Sequence, residues 1–254
     1  MLPAERKRRI VELVTESDGR SVEALASTLE FSKATIRRDL RQLEEKGMVE
    51  RSHGGAVPAT TVGREQTYDQ REVQNLEQKV AIGKRAAEEL VDGQVAFFDA
   101  GTTTMEVARR TSPDRSFLAV TNAPRLAVEL GESETEVKLT GGTLRERTRA
   151  LVGPTAESFM NRTNFDVLFL GTNGVSPESG LTTPNEDEAR MKELMVERAE
   201  RVVLVADATK VGKRSFVQFA DLPDVDLFVT AGDVPTEARD AFDAAGLALE
   251  VVSA

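Results

Sequence analysis

The alternation of apolar and polar positions sets out a small helical module at the start of the chain. Over residues 3–16, Ile10, Leu13 and Val14 fall at i, i+3, i+4 spacing, one face of an amphipathic helix. Pro3 suits its first turn, where a missing N–H is no loss, and Asp18-Gly19 ends it. Val22, Leu25, Ala26 and Leu29 make the buried stripe of a second helix with Ser21 as N-cap. A third helix opens on Ser32. At about 100° per residue, Ile36, Leu40 and Leu43 lie within ~60° of one another. The patterning that buries this helix therefore turns Arg38 and Arg41 outward, with Thr35 and Arg37 on the flanks. Gly47 stops it. Short strands at 48–52 and 56–57 bracket Gly54-Gly55, a pair suited to a hairpin turn that needs positive φ.

Beyond residue 57 the periodicity lapses over 58–66, which reads as a linker. A helical pattern returns over 68–90, with Val73, Leu76, Val80, Ile82, Ala86 and Leu90. Strands are then predicted at 95–98, 117–121, 136–140, 166–170, 202–206, 226–230 and 248–252. Helices at 103–111, 124–131, 154–161, 186–199 and 235–245 lie between them. Strand–helix alternation predicts an α/β domain with a mostly parallel sheet covered by helices. The expected organisation is thus 1–57, an N-terminal winged helix-turn-helix; 58–66, a linker; and 67–254, an α/β domain.

An arginine-bearing third helix followed at once by a Gly-Gly wing points to double-stranded DNA as the partner. Arginine can pair bidentately with guanine, and threonine can reach phosphate or a thymine methyl. The candidate DNA contacts are Ser32, Lys33, Thr35, Arg37, Arg38 and Arg41 on the helix, with Arg51, His53, Gly54 and Gly55 on the wing. The competing reading is a merely solvated charged face. His53 is the only histidine, so no histidine-based metal site can form.

Charge changes the picture in one respect. The chain carries a net charge of −10, awkward for a DNA binder. The acidity sits beyond residue 56, however, and the first 56 residues are near neutral. Lysine is scarce beside arginine, and an acidic, lysine-poor chain resembles the proteins of salt-accumulating halophiles. At molar salt the Debye length is only ~3 Å, so short arginine contacts would carry more of the recognition than long-range attraction. There are no cysteines, which excludes disulfides and thiolate metal sites and suits a cytoplasmic protein. No run of about 20 apolar residues offers a membrane span, and the N-terminus shows no signal-peptide pattern.

In a parallel α/β sheet, ligands bind outside the carboxyl ends of the strands, and small polar motifs cluster there. DAGTTT at 99–104 joins a strand to a helix, where free N–H groups and a helix dipole favour phosphate. Four more strand ends have the same character: TNA at 121–123, TGG at 140–142, GTNG at 171–174 and ADATK at 206–210. Lys192 and Lys210 are the cationic candidates for an anionic ligand; the bland alternative for Lys192 is an i, i+4 pair with Glu188. Arg145, Arg147 and Arg149 make a further basic loop, lining the same site or simply solvated.

SKATIRRDLRQLEEKGMVERSHGGA at 32–56 resembles the DeoR family of sugar-responsive transcriptional regulators. The likeness continues through DAGTTT, VTNA, LTGG, GTNG, GLTT, EARMK and ADATKVGK. It implies a sugar-phosphate isomerase-like effector domain and a regulator, more often a repressor, of fructose-, glucose- or glycerol-type catabolic genes. It further implies a pocket for a phosphorylated sugar at Asp99, Gly101, Thr102, Thr103, Thr104, Asn122, Gly141, Gly142, Asn173, Lys192, Asp207 and Lys210. Two alternatives compete: an isomerase-like enzyme fused to a DNA-binding module, and a ligand-independent DNA-binding protein. The isomerases carry a DGADE-like acidic segment where this chain has GTNG, with no carboxylate. No enzyme activity, cofactor or metal is therefore expected. One module gives limited affinity, so a homodimer or higher homo-oligomer is expected on repeated half-sites.

Overall fold

The computed structural model describes residues 2–17, 19–45, 48–52, 54–58, 65–112, 114–132 and 135–254. Contacts divide the chain into two units, Met1–Asn75 and Leu76–Ala254.

The first unit contains α1 (Pro3–Glu16), β1 (Arg20–Ser21), α2 (Val22–Leu29), α3 (Lys33–Glu45), β2 (Val49–Ser52), β3 (Gly55–Pro58) and α4 (Tyr68–Glu72). The predicted stripes all face one core: Ile10, Leu13 and Val14 of α1, Val22, Leu25 and Leu29 of α2, and Ile36, Leu40 and Leu43 of α3. Ser21 caps α2 by accepting from the Ala24 N–H at 3.1 Å. Ser32 does the same for α3, accepting from the Thr35 N–H at 3.2 Å. Asp18 and Gly47, the expected helix stops, lie outside the described residues, as does the linker stretch 59–64. β1 is not predicted by the sequence, because two residues carry no period. It exists through its pairing with β3, which makes a three-stranded sheet in the order β1-β3-β2.

Residues 68–90 do not form the single helix their apolar period predicts. Asn75 takes a left-handed φ of 51°, which ends the turn after α4, and α5 (Leu76–Ala86) starts afresh. Asparagine is among the few residues that visit this region readily.

The second unit starts with α5 and continues with β4 (Val95–Phe98), α6 (Thr102–Ala108), β5 (Leu118–Thr121), α7 (Pro124–Gly131) and β6 (Val137–Leu139). A short hairpin of β7 (Thr143–Leu144) and β8 (Leu151–Val152) leads to α8 (Pro154–Met160) and β9 (Val167–Leu170). Then come β10 (Gly174–Ser176), β11 (Gly180–Thr183), α9 (Glu186–Arg198), β12 (Val202–Val205), β13 (Val217–Ala220), β14 (Leu227–Ala231), α10 (Thr236–Ala244) and β15 (Ala248–Val252).

Seven of these strands form one parallel sheet in the order β15-β14-β12-β9-β4-β5-β6. Their side chains alternate between two cores: Phe97, Leu168 and Leu204 on one face, Phe98, Phe169 and Val203 on the other. The first face is covered by α8, α9 and α10, through Met160, Met191, Leu194 and Phe242. The second is covered by α5, α6 and α7, through Ile82, Met105 and Leu126. Burial on both faces explains why these strands read as near-continuous apolar runs. The chain runs outward from β4 to β6, returns to pair β9 beside β4, and then runs outward the other way. The topological switch point is therefore between β4 and β9.

Candidate nucleic-acid interface and ligand site

On α3, Ser32, Lys33, Arg37, Arg38 and Arg41 are exposed and Thr35 is half-buried. Among the described residues, no carboxylate pairs with Arg37, Arg38 or Arg41. Lys33 differs: its ammonium pairs with Glu23 of α2 at 2.6 Å, which holds the Glu23 carboxyl below its ordinary range. The wing presents Arg51 from β2, exposed and in register with Ala56. Gly55 has no room for a side chain, since a Cβ there would stand 2.2 Å from the Arg20 carbonyl oxygen. The neighbouring Gly54 carbonyl accepts from the Val22 N–H at 2.8 Å. His53 lies outside the described residues.

What aims this helix was not legible in the sequence. Asp39, between Arg38 and Leu40, is 2% exposed. It accepts from Arg6 of α1, Nε to Oδ2 at 2.5 Å and Nη2 to Oδ1 at 3.3 Å. The Arg6 guanidinium also stacks over the Phe31 ring, 4.5 Å from its centroid. The hydrogen bond from Arg6 to Asp39 raises the arginine's pKa further above its ordinary value. A buried ion pair thus fixes the rotation of α3 about its axis and leaves Arg37, Arg38 and Arg41 outside. The only advance signal was a carboxylate at a position whose helical neighbours are core residues.

In the second unit, parallel strands bring their carboxyl ends to one edge of the sheet. Asp207 follows β12, Gly171 follows β9, Asp99 follows β4, Asn122 follows β5 and Gly141 lies two residues after β6, in the spatial order of the strands. At the switch point, Lys192 of α9 bridges two of these ends. Its ammonium donates to Asp99 Oδ2 and, at 2.8 Å, to the Gly171 carbonyl. Asp99 Oδ2 also accepts from the Gly171 N–H at 3.0 Å. Asp99 and Lys192 are both buried, and the ammonium lies 5.4 Å from the Phe219 ring centroid. The expected alternative, a pair between Lys192 and Glu188 one turn earlier, does not form. Glu188 instead accepts from Arg145 Nη1 at 2.6 Å and from the Thr148 hydroxyl.

Asn122 ties the DAGTTT turn to the β7–β8 hairpin. Its Oδ1 accepts from the Ala100 N–H at 2.9 Å, and its Nδ2 donates to the Leu151 carbonyl at 3.4 Å. Thr102 is buried and Thr103 half-buried at the start of α6. Thr104 is fully buried, and its hydroxyl donates to the Asp99 carbonyl at 2.6 Å with Gly101 O also within reach at 2.9 Å. Its hydrogen therefore braces the turn from inside. Gly142 takes φ 109°, and a Cβ there would meet the Val152 carbonyl oxygen at 2.5 Å. Together with Gly141 it lets the hairpin close against the sheet edge.

Asn173 accepts from the Thr183 hydroxyl at 3.2 Å. Asp207 caps a short turn by accepting from the Thr209 N–H at 3.1 Å and from the Thr209 hydroxyl. Lys210 ends that turn half-buried. Asp99, Asn122 and Lys192, with Gly171, are thus brought into one connected cluster, while Asp207 and Lys210 stand at the adjoining strand end.

A helix-turn-helix with a basic, outward recognition face, joined to a doubly wound sheet with polar strand ends, defines a DNA-binding regulator with a ligand-type domain. Comparison with known proteins agrees. The DeoR-like helix-turn-helix domain matches residues 6–62, and the DeoR C terminal sensor domain matches residues 74–232. The chain belongs to the DeoR family of DNA-binding transcriptional regulators. It is 71% identical over 247 residues to the HTH-type transcriptional regulator GlpR of Haloferax volcanii, covering 97% of each chain. A halophile relative is in keeping with the acidic, lysine-poor composition. It is 34% identical to the transcriptional repressor AccR of Agrobacterium fabrum, over 89% of this chain and 88% of that one. Among solved structures, ribose 5-phosphate isomerase A of Methanocaldococcus jannaschii aligns at a TM-score of 0.41 with 14% identity, over 54% of this chain and 55% of that one. No helix among the described residues is long and apolar enough to cross a membrane.

Proposed function

We propose that this regulator represses sugar-catabolic genes and that a phosphorylated sugar, bound at the strand ends of its second unit, releases it from promoter DNA. The observation that carries the reading is the buried Asp99–Lys192–Gly171 cluster at the switch point between β4 and β9, where open α/β sheets hold their ligands. Around it lie the polar turns bearing Gly101, Thr102, Thr103, Thr104, Asn122, Gly141, Gly142, Asn173, Asp207 and Lys210, chemistry suited to hydroxyls and a phosphate. Residues 1–57 are the DNA-binding part, 58–66 the linker and 67–254 the effector part. Arg37, Arg38 and Arg41 face the DNA with Ser32, Lys33 and Thr35. Arg51, His53, Gly54 and Gly55 form the wing. The working form is a homodimer or larger homo-oligomer, which places two modules on paired half-sites. Repression accords with relatives named as repressors, AccR among them.

Catalysis is not part of this reading. Residues 171–174 offer no carboxylate as general base, and Asp99 and Glu188 are each engaged by a cation. The ligand must prefer the state with weaker DNA affinity, and by linkage DNA must weaken ligand binding by the same factor. Gel-shift binding to the promoter of its own gene and of neighbouring sugar-catabolic genes, at graded salt and with fructose, glucose and glycerol phosphates, tests this. Release by one of them is the expected result. Specific DNA binding that ignores them all would refute the effector assignment and leave the DNA assignment standing.

A further inference from the structure

Two residues one turn apart on α9, Glu188 and Lys192, each hold an ion pair, and only the Lys192 pair belongs to the cluster described above. Lys192 holds the switch point. Glu188 reaches the other way, to Arg145 at 2.6 Å and to Thr148, both in the loop of the β7–β8 hairpin. Residues at i and i+4 on a helix lie about 5–6 Å apart at Cβ, so Glu188 and Lys192 spring from neighbouring positions on α9. The same hairpin touches the DAGTTT turn through Asn122, which joins Ala100 to Leu151. Gly142, tight against the Val152 carbonyl, fixes the hairpin's base.

Joining a half-buried arginine of this hairpin to a buried glutamate of α9 is weak ground for stability, because desolvation offsets much of the attraction. A pair that re-partners is a better account. Glu188 Oε1 receives both Arg145 and Thr148, which gives one carboxylate oxygen the donors a phosphate oxygen would take.

Resting on the sugar-phosphate reading above, we propose that Arg145 is a phosphate-binding residue of the effector site and that Glu188 is its placeholder. Without ligand, the Glu188 carboxylate neutralises Arg145. The ligand's phosphate takes the guanidinium fork and the Thr148 hydroxyl, and Glu188 is displaced. Effector binding is thereby coupled to the seating of hairpin 143–152 on α9.

The test is calorimetric titration of the full chain with inorganic phosphate and with fructose, glucose and glycerol phosphates. Glu188→Gln keeps an oxygen acceptor for Arg145 and Thr148 but removes the competing charge. It should tighten binding of the responsive sugar phosphate about tenfold, and Arg145→Lys should weaken it by a similar factor. Simple removal of a nearby negative charge would also tighten binding, so Glu188→Gln is repeated in an Arg145→Met background. Placeholder action requires the gain to vanish there. An equal gain in both backgrounds, or no gain in the first, overturns the proposal. Failure of the wild-type chain to bind any of these phosphates would instead fell the effector reading, and this proposal with it.

Discussion

Arg6–Asp39 in the first unit and Lys192–Asp99 in the second are both buried cation–carboxylate pairs, and they are built for different ends. Arg6 offers a rigid planar fork to both carboxylate oxygens and lies over the Phe31 ring. All its partners are parts of one helical module, so the pair acts as a strut. Lys192 offers a rotatable ammonium to one carboxylate oxygen and one backbone carbonyl at the open ends of two strands. A compact charge with rotatable donors can change partners with little rearrangement, whereas a stacked fork cannot. The pair that must not move uses arginine, and the pair at the proposed effector site uses lysine, in a chain where lysine is otherwise scarce. Both are sheltered from the screening that molar salt imposes on exposed charges.

The contrast can be broken most severely at Asp39. Asp39→Ala leaves the Arg6 guanidinium buried without its counter-charge, a loss of about 3–5 kcal/mol. Urea unfolding should show the first unit failing early and specific DNA binding lost with it. A change below about 1 kcal/mol, the size of an exposed pair, would mean the strut is dispensable. Lys192→Met is the matching test in the second unit. It strands the Asp99 carboxylate with the Gly171 N–H and should cost about 3 kcal/mol, with loss of the sugar-phosphate response. A mutant that still responds normally would remove Lys192 from the site.

Arg38→Ala probes what the strut is for. It touches no core residue and should cost about 1–3 kcal/mol in specific DNA binding if it reads a base. Equal losses on cognate and scrambled DNA would make it a phosphate contact.

The smallest expected effect concerns an edge pair outside both sites. Burial of Glu89 disfavours its charge, yet hydrogen bonds from Arg85 and Arg201 outweigh this and hold its pKa below the ordinary 4.5. A lowered carboxyl pKa contributes stability that is complete above the ordinary value and disappears as pH falls through the lowered one. Melting of Glu89→Gln should therefore lie below wild type at about pH 6, and the gap should close as the pH falls through the lowered pKa. A gap that persists in acid would assign the loss to packing instead.

Much of the architecture was legible because period carries it. The three stripes around Ile10, Leu25 and Leu40, and the apolar strand runs from Val95 onward, needed only spacing and length. The small sheet of β10, β11 and β13 was not, because GVS, GLTT and VQFA are short, and the first two are rich in glycine and hydroxyls. The break at Asn75 escaped for a similar reason: the apolar period continues across it. Within the site, the strand-end motifs were visible one by one. Their joining through Lys192 was not, since it spans 93 residues of sequence. Nor did spacing reveal that Glu188, which stands one turn from Lys192, turns instead to the hairpin 43 residues back.

The two-residue strand β1 carries a consequence for how the DNA-binding module comes into being. Arg20 stands just before the helix-turn-helix and Ala56 just after the wing turn, and their pairing closes that whole stretch into a loop. The helices and the β2–β3 hairpin can assemble from near neighbours along the chain. The β1–β3 contact cannot, because chain entropy must be spent on closure before any bond repays it. Zipping Arg20 and Ser21 onto β3 should therefore be a late event in folding and an early one in unfolding. A ribosome would have to release the wing before the first strand found its partner, so the module is completed only after its last strand emerges.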